Sequence, residues 1–545
     1  MTTVLVIGAG GVFGSRLAEG LLRDGFTVIV AGRDRDRAEA VAARLAAGLG
    51  AAFSSVALDT QTVTPDALIA TGATIVADMA GPFQGAEPTT ARAAIAAGLH
   101  YVDLADARDF VCGFATLDAA ARAAGVVALS GCSSTPALSN AVLDHLTNGW
   151  TEIVSVEAAI SPGARAPRGL SVMQAILSWL GRPVRVFEGG RWTERPGWSG
   201  LYLRDFDAAG RRRVSLCETP DLDLFESRFR PRERALFLAG LEPAPAHLQA
   251  WALGLLVRMF RFDPVPLARP LLALSGLHSV TGSDQGAMRV AAYGRDGEGR
   301  AVRAVWRLTA PPGIGPVTPS LPALAVIKAI AAGRVAPGAT ACVGLLSLED
   351  IVAEMRRHGL VTETKVERGA IHARAIGEAF DSLPAAIQDL HETPGRSVWR
   401  GEATTKGASN ALAAIAARIV GFPSTQANCS VEVSIDADGD RSIWRRRIGG
   451  HAFCSVLSRP RPGGRVSERF GPLTMELVLT PRDGWLIYEV TGWRVGPLPL
   501  PRALAPRTKT HEEVDGQGRF VFDVEIAAPL IGRLVRYRGW LQRVS

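Results

Sequence analysis

The chain has 545 residues, 47% hydrophobic, 21% charged and 6% aromatic, enough apolar material for several cores, which excludes a disordered chain and a mini-protein. Sixty Lys plus Arg against 53 Asp plus Glu leave a net charge of +7, and all but four of the sixty are Arg. Acidic residues are spread among Arg runs such as Arg211-Arg212-Arg213 and Arg445-Arg446-Arg447, with no zinc-finger or RNP pattern, which argues against a nucleic-acid partner.

From the N-terminus, residues 4–7 predict a strand, and Phe13, Leu17 and Leu21 recur every four residues along one face of the helix that follows. Strands at 27–31, 52–57, 74–78, 100–103 and 126–129 then alternate with helices at 34–45, 88–97 and 109–124. Such βαβ alternation predicts a Rossmann-type doubly wound parallel sheet over residues 1–150, because each right-handed crossover lays a helix on one face.

The chemistry of this region starts at Gly8-Ala9-Gly10-Gly11-Val12-Phe13-Gly14. A dinucleotide pyrophosphate needs backbone N–H groups at a helix N-terminus, and glycine lets the chain turn tightly and approach without a Cβ in the way. Gly8, Gly11 and Gly14 give GxxGxxG, whereas the stricter GxGxxG through Gly8 and Gly10 fails at Phe13. Set between an opening strand and an amphipathic helix, Gly8, Gly10, Gly11, Val12, Phe13 and Gly14 predict a dinucleotide cradle. At the end of the second strand, where NAD sites usually place a carboxylate for the ribose, stands Arg33, 19 residues after Gly14. A guanidinium there can hold a 2′-phosphate through two parallel hydrogen bonds, so the expected coenzyme is NADP. Arg35 and Arg37 either assist or form a solvated face.

Tyr101 and Asp103 lie two apart on a predicted strand and share a face at its C-terminal end, where ligands gather in doubly wound sheets. With Asp106 in the loop beyond, either a phenol or a carboxyl could donate a proton as hydride arrives; the competing reading packs Tyr101 in the core and leaves Asp103 to cap a helix. Cys132 is a third catalytic candidate, against its reading as a small buried hydrophobe. No Tyr stands four residues before Lys328, Lys365, Lys406 or Lys509, so the Tyr-x-x-x-Lys pair of short-chain dehydrogenases is missing.

From residue 150 the pattern turns to strands: alternation at 153–160, strand pairs around Gly189-Gly190 and Ala208-Ala209-Gly210, and a hairpin from 287–293 to 301–309 through Asp296-Gly297-Glu298-Gly299. Helices follow at 321–332 and, capped by Ser347, at 348–358. Residues 151–370 are therefore expected to form an α+β domain, and 371–545 a mainly antiparallel β domain with helices. In that last stretch helices at 375–390 and 408–420 precede eight strands, at 430–435, 442–448, 452–457, 465–470, 473–479, 485–491, 520–526 and 534–541, with hairpin turns at Asp438-Gly439 and Asp483-Gly484. Eight such strands suggest a curled sheet or barrel. Trp444, Arg446, His451 and Cys454 either line an apolar-ligand cavity there or rim a sheet core, and His511-Glu512-Glu513 reads as a surface feature.

Several segments resemble the saccharopine dehydrogenase-like NADP-dependent oxidoreductases: VLVIGAGGVFGSRLAEGL, VIVAGRDRDRAEAVA, the Asp78–Gly85 and Ala97–Leu104 stretches, and Ser130-Gly131-Cys132-Ser133-Ser134-Thr135-Pro136-Ala137-Leu138-Ser139. The resemblance implies that Ala80, Gly81, Pro82 and Phe83 line the nicotinamide side, that the middle region closes over the nicotinamide, and that the protein is a homodimer acting on a small-molecule substrate. Ser133, Ser134 and Pro136-Ala137 depart from the saccharopine enzymes proper, which argues against saccharopine itself as substrate. Thr281 to Val290 is similar to the corresponding family segment, and most of 375–545 resembles a bacterial C-terminal domain of unknown function found fused to such fronts.

The six cysteines are far apart and form no CxxC or His-Cys cluster, which predicts a reduced cytoplasmic protein without a metal. The apolar run 4–7 leads into glycines, so no secretory signal is expected, and 243–257 is too short and too polar to cross a bilayer. Around Trp251 to Phe262 a core or subunit-interface helix fits better than a peripheral membrane contact. Two functions remain: an NADP-dependent oxidoreductase reducing a carbonyl, imine or activated alkene, or an NADP-binding sensor or apolar-ligand-binding protein without turnover.

Overall fold

The structure, a computed structural model, describes residues 2–49, 54–167, 169–275, 282–439, 441–461 and 464–544. Ala52 and Phe53 of one expected strand, and Thr281 of the family-like segment, lie outside them. The chain divides into two compact units: Met1–Asn148, Val156–Ala292 and Val305–Lys365 form one, and Gly149–Ser155, Tyr293–Ala304 and Val366–Ser545 the other.

The first unit holds a seven-stranded parallel sheet in the order Gly338–Ala341, Val127–Ser130, His100–Asp103, Ile75–Asp78, Thr3–Ile7, Thr27–Gly32, Ser54–Ala57. Apart from Gly338–Ala341, this is the doubly wound order 3-2-1-4-5-6, whose switch point lies between Thr3–Ile7 and Ile75–Asp78. The central strands are continuous apolar runs because helices cover both faces; Val4, Leu5, Val6, Val76 and Ala77 are fully buried. The helix expected at 109–124 is instead Arg108–Cys112, a 3₁₀ turn Phe114–Leu117 and Asp118–Ala123. It breaks at Gly113, where helix propensity is lowest. Arg108, from this segment, is buried and ties it to the middle of the chain through Glu218 at 3.2 Å and Asp223 at 2.6 Å.

The second sheet has nine strands, and Gly286–Arg295 and Ala301–Ala310 are neighbours in it, as the turn at 296–299 predicts. Its buried carboxylate Glu157 accepts from Arg204 at 2.7 and 2.6 Å and from Arg289 at 2.8 Å. Burial would raise this carboxyl, but the two guanidinium groups outweigh it and hold it at about 2. The helix Ala244–Phe260 buries His247, Gly254 and Val257 yet exposes Leu255, Leu256, Met259 and Phe260, so it is not a core helix. Among the described residues no helix is long and apolar enough to cross a membrane.

The second unit contains an antiparallel barrel. Gly395–Lys406, Gln426–Ala437, Arg441–Ile448, His451–Arg461, Arg465–Phe470, Leu473–Arg482, Trp485–Val495, Arg507–Val514, Phe520–Ala528 and Gly532–Arg543 pair in sequence, and the last returns to the first, Arg543 opposite Trp399. The short strand Leu498–Leu500 hangs off Trp485–Val495. Three of these strands were not expected, and two of the three, Gly395–Lys406 and Arg507–Val514, close the ring. Closure removes exposed sheet edges. The helix expected at 375–390 is Ile371–Ile376, a 3₁₀ turn and Ala385–His391, interrupted by Gly377 at φ 73 and by Pro384, which has no N–H to donate. Inside, Trp399, Phe422, Phe453, Phe470, Phe520 and Phe522 are among the buried rings of one continuous core.

Candidate functional site

The strand Thr3–Ile7 ends at Gly8, whose φ of +77 a side chain would resist; its N–H donates to the Ala31 carbonyl at 2.9 Å. A Cβ on Gly8 would lie 3.0 Å from the Met79 carbonyl, and one on Gly14 would collide with the Gly8 carbonyl. These two glycines therefore let the turn press against the Ile75–Asp78 strand and the helix press against the turn. Gly14, and not the residue at Phe13, supplies the close packing, so GxxGxxG is the pattern that the geometry uses. A Cβ on Gly10 or Gly11 would meet nothing nearer than 3.4 Å and 3.2 Å. Gly11 is the N-cap of Val12–Arg23 and offers no side-chain cap, which leaves the first-turn N–H groups available to an anion; Val12 and Phe13 are half-buried.

Beside this turn runs a cleft of about 710 Å³ whose lining residues lie between Ile7 and Phe110, among them Gly8, Arg33, Asp59, Ala80, Gly81, Pro82, Phe83 and Tyr101. It sits outside the C-terminal strand ends at the switch point. Arg33 is exposed at its rim, and among the described residues it makes no ion pair, whereas Arg35 pairs with Glu39 at 3.3 Å. Arg37 leans toward the glycine turn: its Nε is 3.9 Å from where a Cβ on Gly10 would stand.

Ala80 to Phe83 follow the buried Asp78, whose Oδ1 accepts from the Ala80 N–H at 3.0 Å and so fixes the start of that loop. Burial pushes the Asp78 carboxyl up. The Gln84 side chain donates to Asp106 at 3.0 Å, joining the two loops. Phe83 packs on Phe110 at 5.2 Å, Phe110 on Phe114 at 6.0 Å and Phe114 on Tyr101 at 5.9 Å, which gives this end an aromatic wall.

Tyr101 is buried against Phe114 yet still lines the cleft, and burial, then Asp103 and Asp78, push its hydroxyl well up. Asp103 caps no helix. Its Oδ1 accepts from Ala105 N, Ser130 Oγ and Gly131 N at 2.9, 3.0 and 2.7 Å, while its Oδ2 has no partner among the described residues. Burial overrides those bonds and pushes the carboxyl up to about 7. Cys132 is wholly buried, its thiol directed at the Leu129 carbonyl and pushed far up by burial and by Cys342, which suits packing.

Sequence reasoning missed Asp221, which locks the Ser130–Ser139 stretch. It is fully buried, accepts from Thr135, Ser139 and Asn140 at 2.5, 2.9 and 2.9 Å, and burial pushes it up to about 7. Its only signal would have been its place at the start of the helix Asp221–Phe229. In the barrel, Trp444 and Arg446 point inward, whereas Cys454 is exposed and His451 is 3.4 Å from Ser424 Oγ, outside the inner cavity. Glu512, expected at the surface, is buried and bonded to His391 at 2.6 Å and Tyr488 at 3.0 Å.

The glycine turn and the cleft at the switch point are those of a dinucleotide-binding α/β domain. Residues 4–129 match the saccharopine dehydrogenase NADP binding domain, and residues 383–541 match a domain of unknown function (DUF4166); the chain carries the two in that order. Among solved structures it is similar to apo saccharopine dehydrogenase (L-Glu forming) from Saccharomyces cerevisiae, at 13% identity over 67% of this chain and 100% of that one, with a TM-score of 0.49. It is also similar to GenD2 from gentamicin A biosynthesis in complex with NAD, at 18% identity over 66% of this chain and 96% of that one, with a TM-score of 0.31. No curated protein matches the chain.

Proposed function

We propose that the protein is an NADP-dependent oxidoreductase that reduces a carbonyl, imine or activated alkene of a small molecule. The observation that carries this reading is the single cleft of about 710 Å³ that joins Gly8, Arg33, Ala80–Phe83 and Tyr101. The first-turn N–H groups behind Gly11 hold the pyrophosphate and Arg33 holds the 2′-phosphate. Ala80, Gly81, Pro82 and Phe83 flank the nicotinamide, and the aromatic wall keeps water from the reacting carbon. Bound NADPH supplies the hydride.

Tyr101, which lines the cleft, donates from its hydroxyl the proton that balances the hydride. Asp103 lies behind it with a carboxyl that is half protonated near neutral pH, and serves as the source of the next proton. Residues 1–150 carry the coenzyme, 151–370 the substrate and dimer contacts, and 371–545 a separate β domain.

Stopped-flow measurement of NADPH oxidation against fractionated metabolite and lipid extracts tests this. Turnover on at least one fraction is expected, and Tyr101→Phe should lower it about 100-fold, within the range for loss of a proton donor, with NADPH affinity unchanged. Tight NADPH binding with no turnover on any fraction would favour a sensor.

A further inference from the structure

The barrel encloses a cavity of about 90 Å³. One water needs roughly 10–15 Å³ on that measure, so the space takes roughly six to nine waters or one organic molecule of similar bulk. Its wall is mostly apolar, with Val433, Leu457, Phe470, Met475, Leu477 and Phe520 facing inward at alternate strand positions.

The charged groups on the wall are already answered. Arg446 donates to Ser455 Oγ at 2.7 Å and faces Glu468 at 3.6 Å. Glu512 accepts from the Tyr488 hydroxyl at 3.0 Å and holds His391 Nε2 at 2.6 Å. His372, 3.7 Å from His391 ring to ring, is kept neutral by burial and by that neighbour. A carboxylate ligand would meet two carboxylates and a cation that is already paired, and its desolvation would go uncompensated.

A smaller space of about 10 Å³, the size of one oxygen atom with its hydrogens, has His372 and Trp444 in its lining, as the cavity does. Around it stand three groups more than nine-tenths buried: the Tyr293 hydroxyl, the Trp444 indole N–H and His391 Nδ1. None of the three has a hydrogen-bond partner among the described residues. Trp444 can only donate, the Tyr293 hydroxyl can donate or accept, and His391 Nδ1 accepts in the tautomer whose Nε2–H donates to Glu512. One hydroxyl satisfies both, accepting from the indole and donating to the imidazole, whereas a carbonyl oxygen satisfies only the donors.

We propose that the barrel binds a small, neutral, largely apolar alcohol, its body in the apolar cavity and its hydroxyl among Tyr293, Trp444 and His391. The test uses the full chain with ¹³C-methyl methionine, the Met475 signal being assigned by Met475→Leu, and three probes of matched bulk: cyclohexylmethanol, methylcyclohexane and cyclohexanecarboxylate. Cyclohexylmethanol should shift the Met475 methyl saturably and bind at least tenfold more tightly than either other probe. Tyr293→Phe should weaken the alcohol about fivefold, the effect of one lost hydrogen bond, and leave methylcyclohexane unchanged. Equal binding of the carboxylate or the hydrocarbon, or no shift of Met475 up to the solubility of the alcohol, would overturn the proposal. The ranking of the three probes on the unmodified chain decides the matter even if a variant fails to fold, and NADPH takes no part in it.

Discussion

The crevice of the parallel sheet and the interior of the barrel are built by opposite means. In the crevice the main chain does most of the work: Gly8 to Gly14 and Ala80 to Phe83 are two contiguous loops at strand ends, assisted by few side chains. In the barrel unit the polar groups come singly, 293 from a strand of the second sheet, 372 and 391 from short helices, and 444, 488 and 512 from barrel strands. A site made of backbone leaves a short signature in the sequence, while one made of alternate side chains looks like ordinary sheet.

The sharpest way to break this contrast is to strike one region and watch the other. Glu512→Ala removes the partner of both His391 and Tyr488 inside the barrel, and each buried polar group left unsatisfied costs about 1–3 kcal/mol. Hydrogen exchange should accelerate in peptides from 395–543 and stay unchanged in those from 3–130; uniform acceleration would mean that the two regions do not hold their stability separately.

Gly11→Asp attacks the crevice in turn. Aspartate is a good N-cap, so the helix Val12–Arg23 should persist, but its carboxylate would stand where the pyrophosphate binds. NADPH affinity should fall about 100-fold or more, equivalent to about 2.7 kcal/mol, with no change in the circular dichroism spectrum. Retained affinity would remove the glycine turn from the site.

Arg33→Ala should cost NADPH about 30-fold, roughly 2 kcal/mol for a lost charge-assisted contact, and leave NADH unaffected. An equal loss for both coenzymes would place the guanidinium elsewhere than on the 2′-phosphate.

The smallest effect is set by pH. A carboxyl raised from 3.8 to about 7 in the fold binds a proton there that the unfolded chain has released. Stability is therefore lost as pH rises toward and through 7, by roughly 1–2 kcal/mol between pH 6 and 8 for this group. Asp103→Asn should remove that share, so its melting temperature relative to the parent should rise across the same interval; a constant difference would contradict the assignment.

The doubly wound order was legible because its strands are apolar runs spaced by helices, and Gly8, Gly14 and Arg33 announced the crevice through spacing alone. The Gly338–Ala341 strand was not, since four small residues among helices carry no period. Arg507–Val514 escaped for a more instructive reason. Its inward positions are Thr508, Thr510 and Glu512, polar because they face the cavity, so the strand lacked the alternation of apolar and polar residues that marks a half-buried strand. Asp103 was placed on its strand, but its raised carboxyl depends on burial from all sides, which no local pattern encodes.

Calorimetric titration of the full chain with NADPH, repeated with NADH and with Gly11→Asp, tests the central claim most directly. One site per chain, tighter for NADPH than for NADH and lost in the variant, is the expected result. No heat with either coenzyme, or binding that the variant leaves intact, would contradict it.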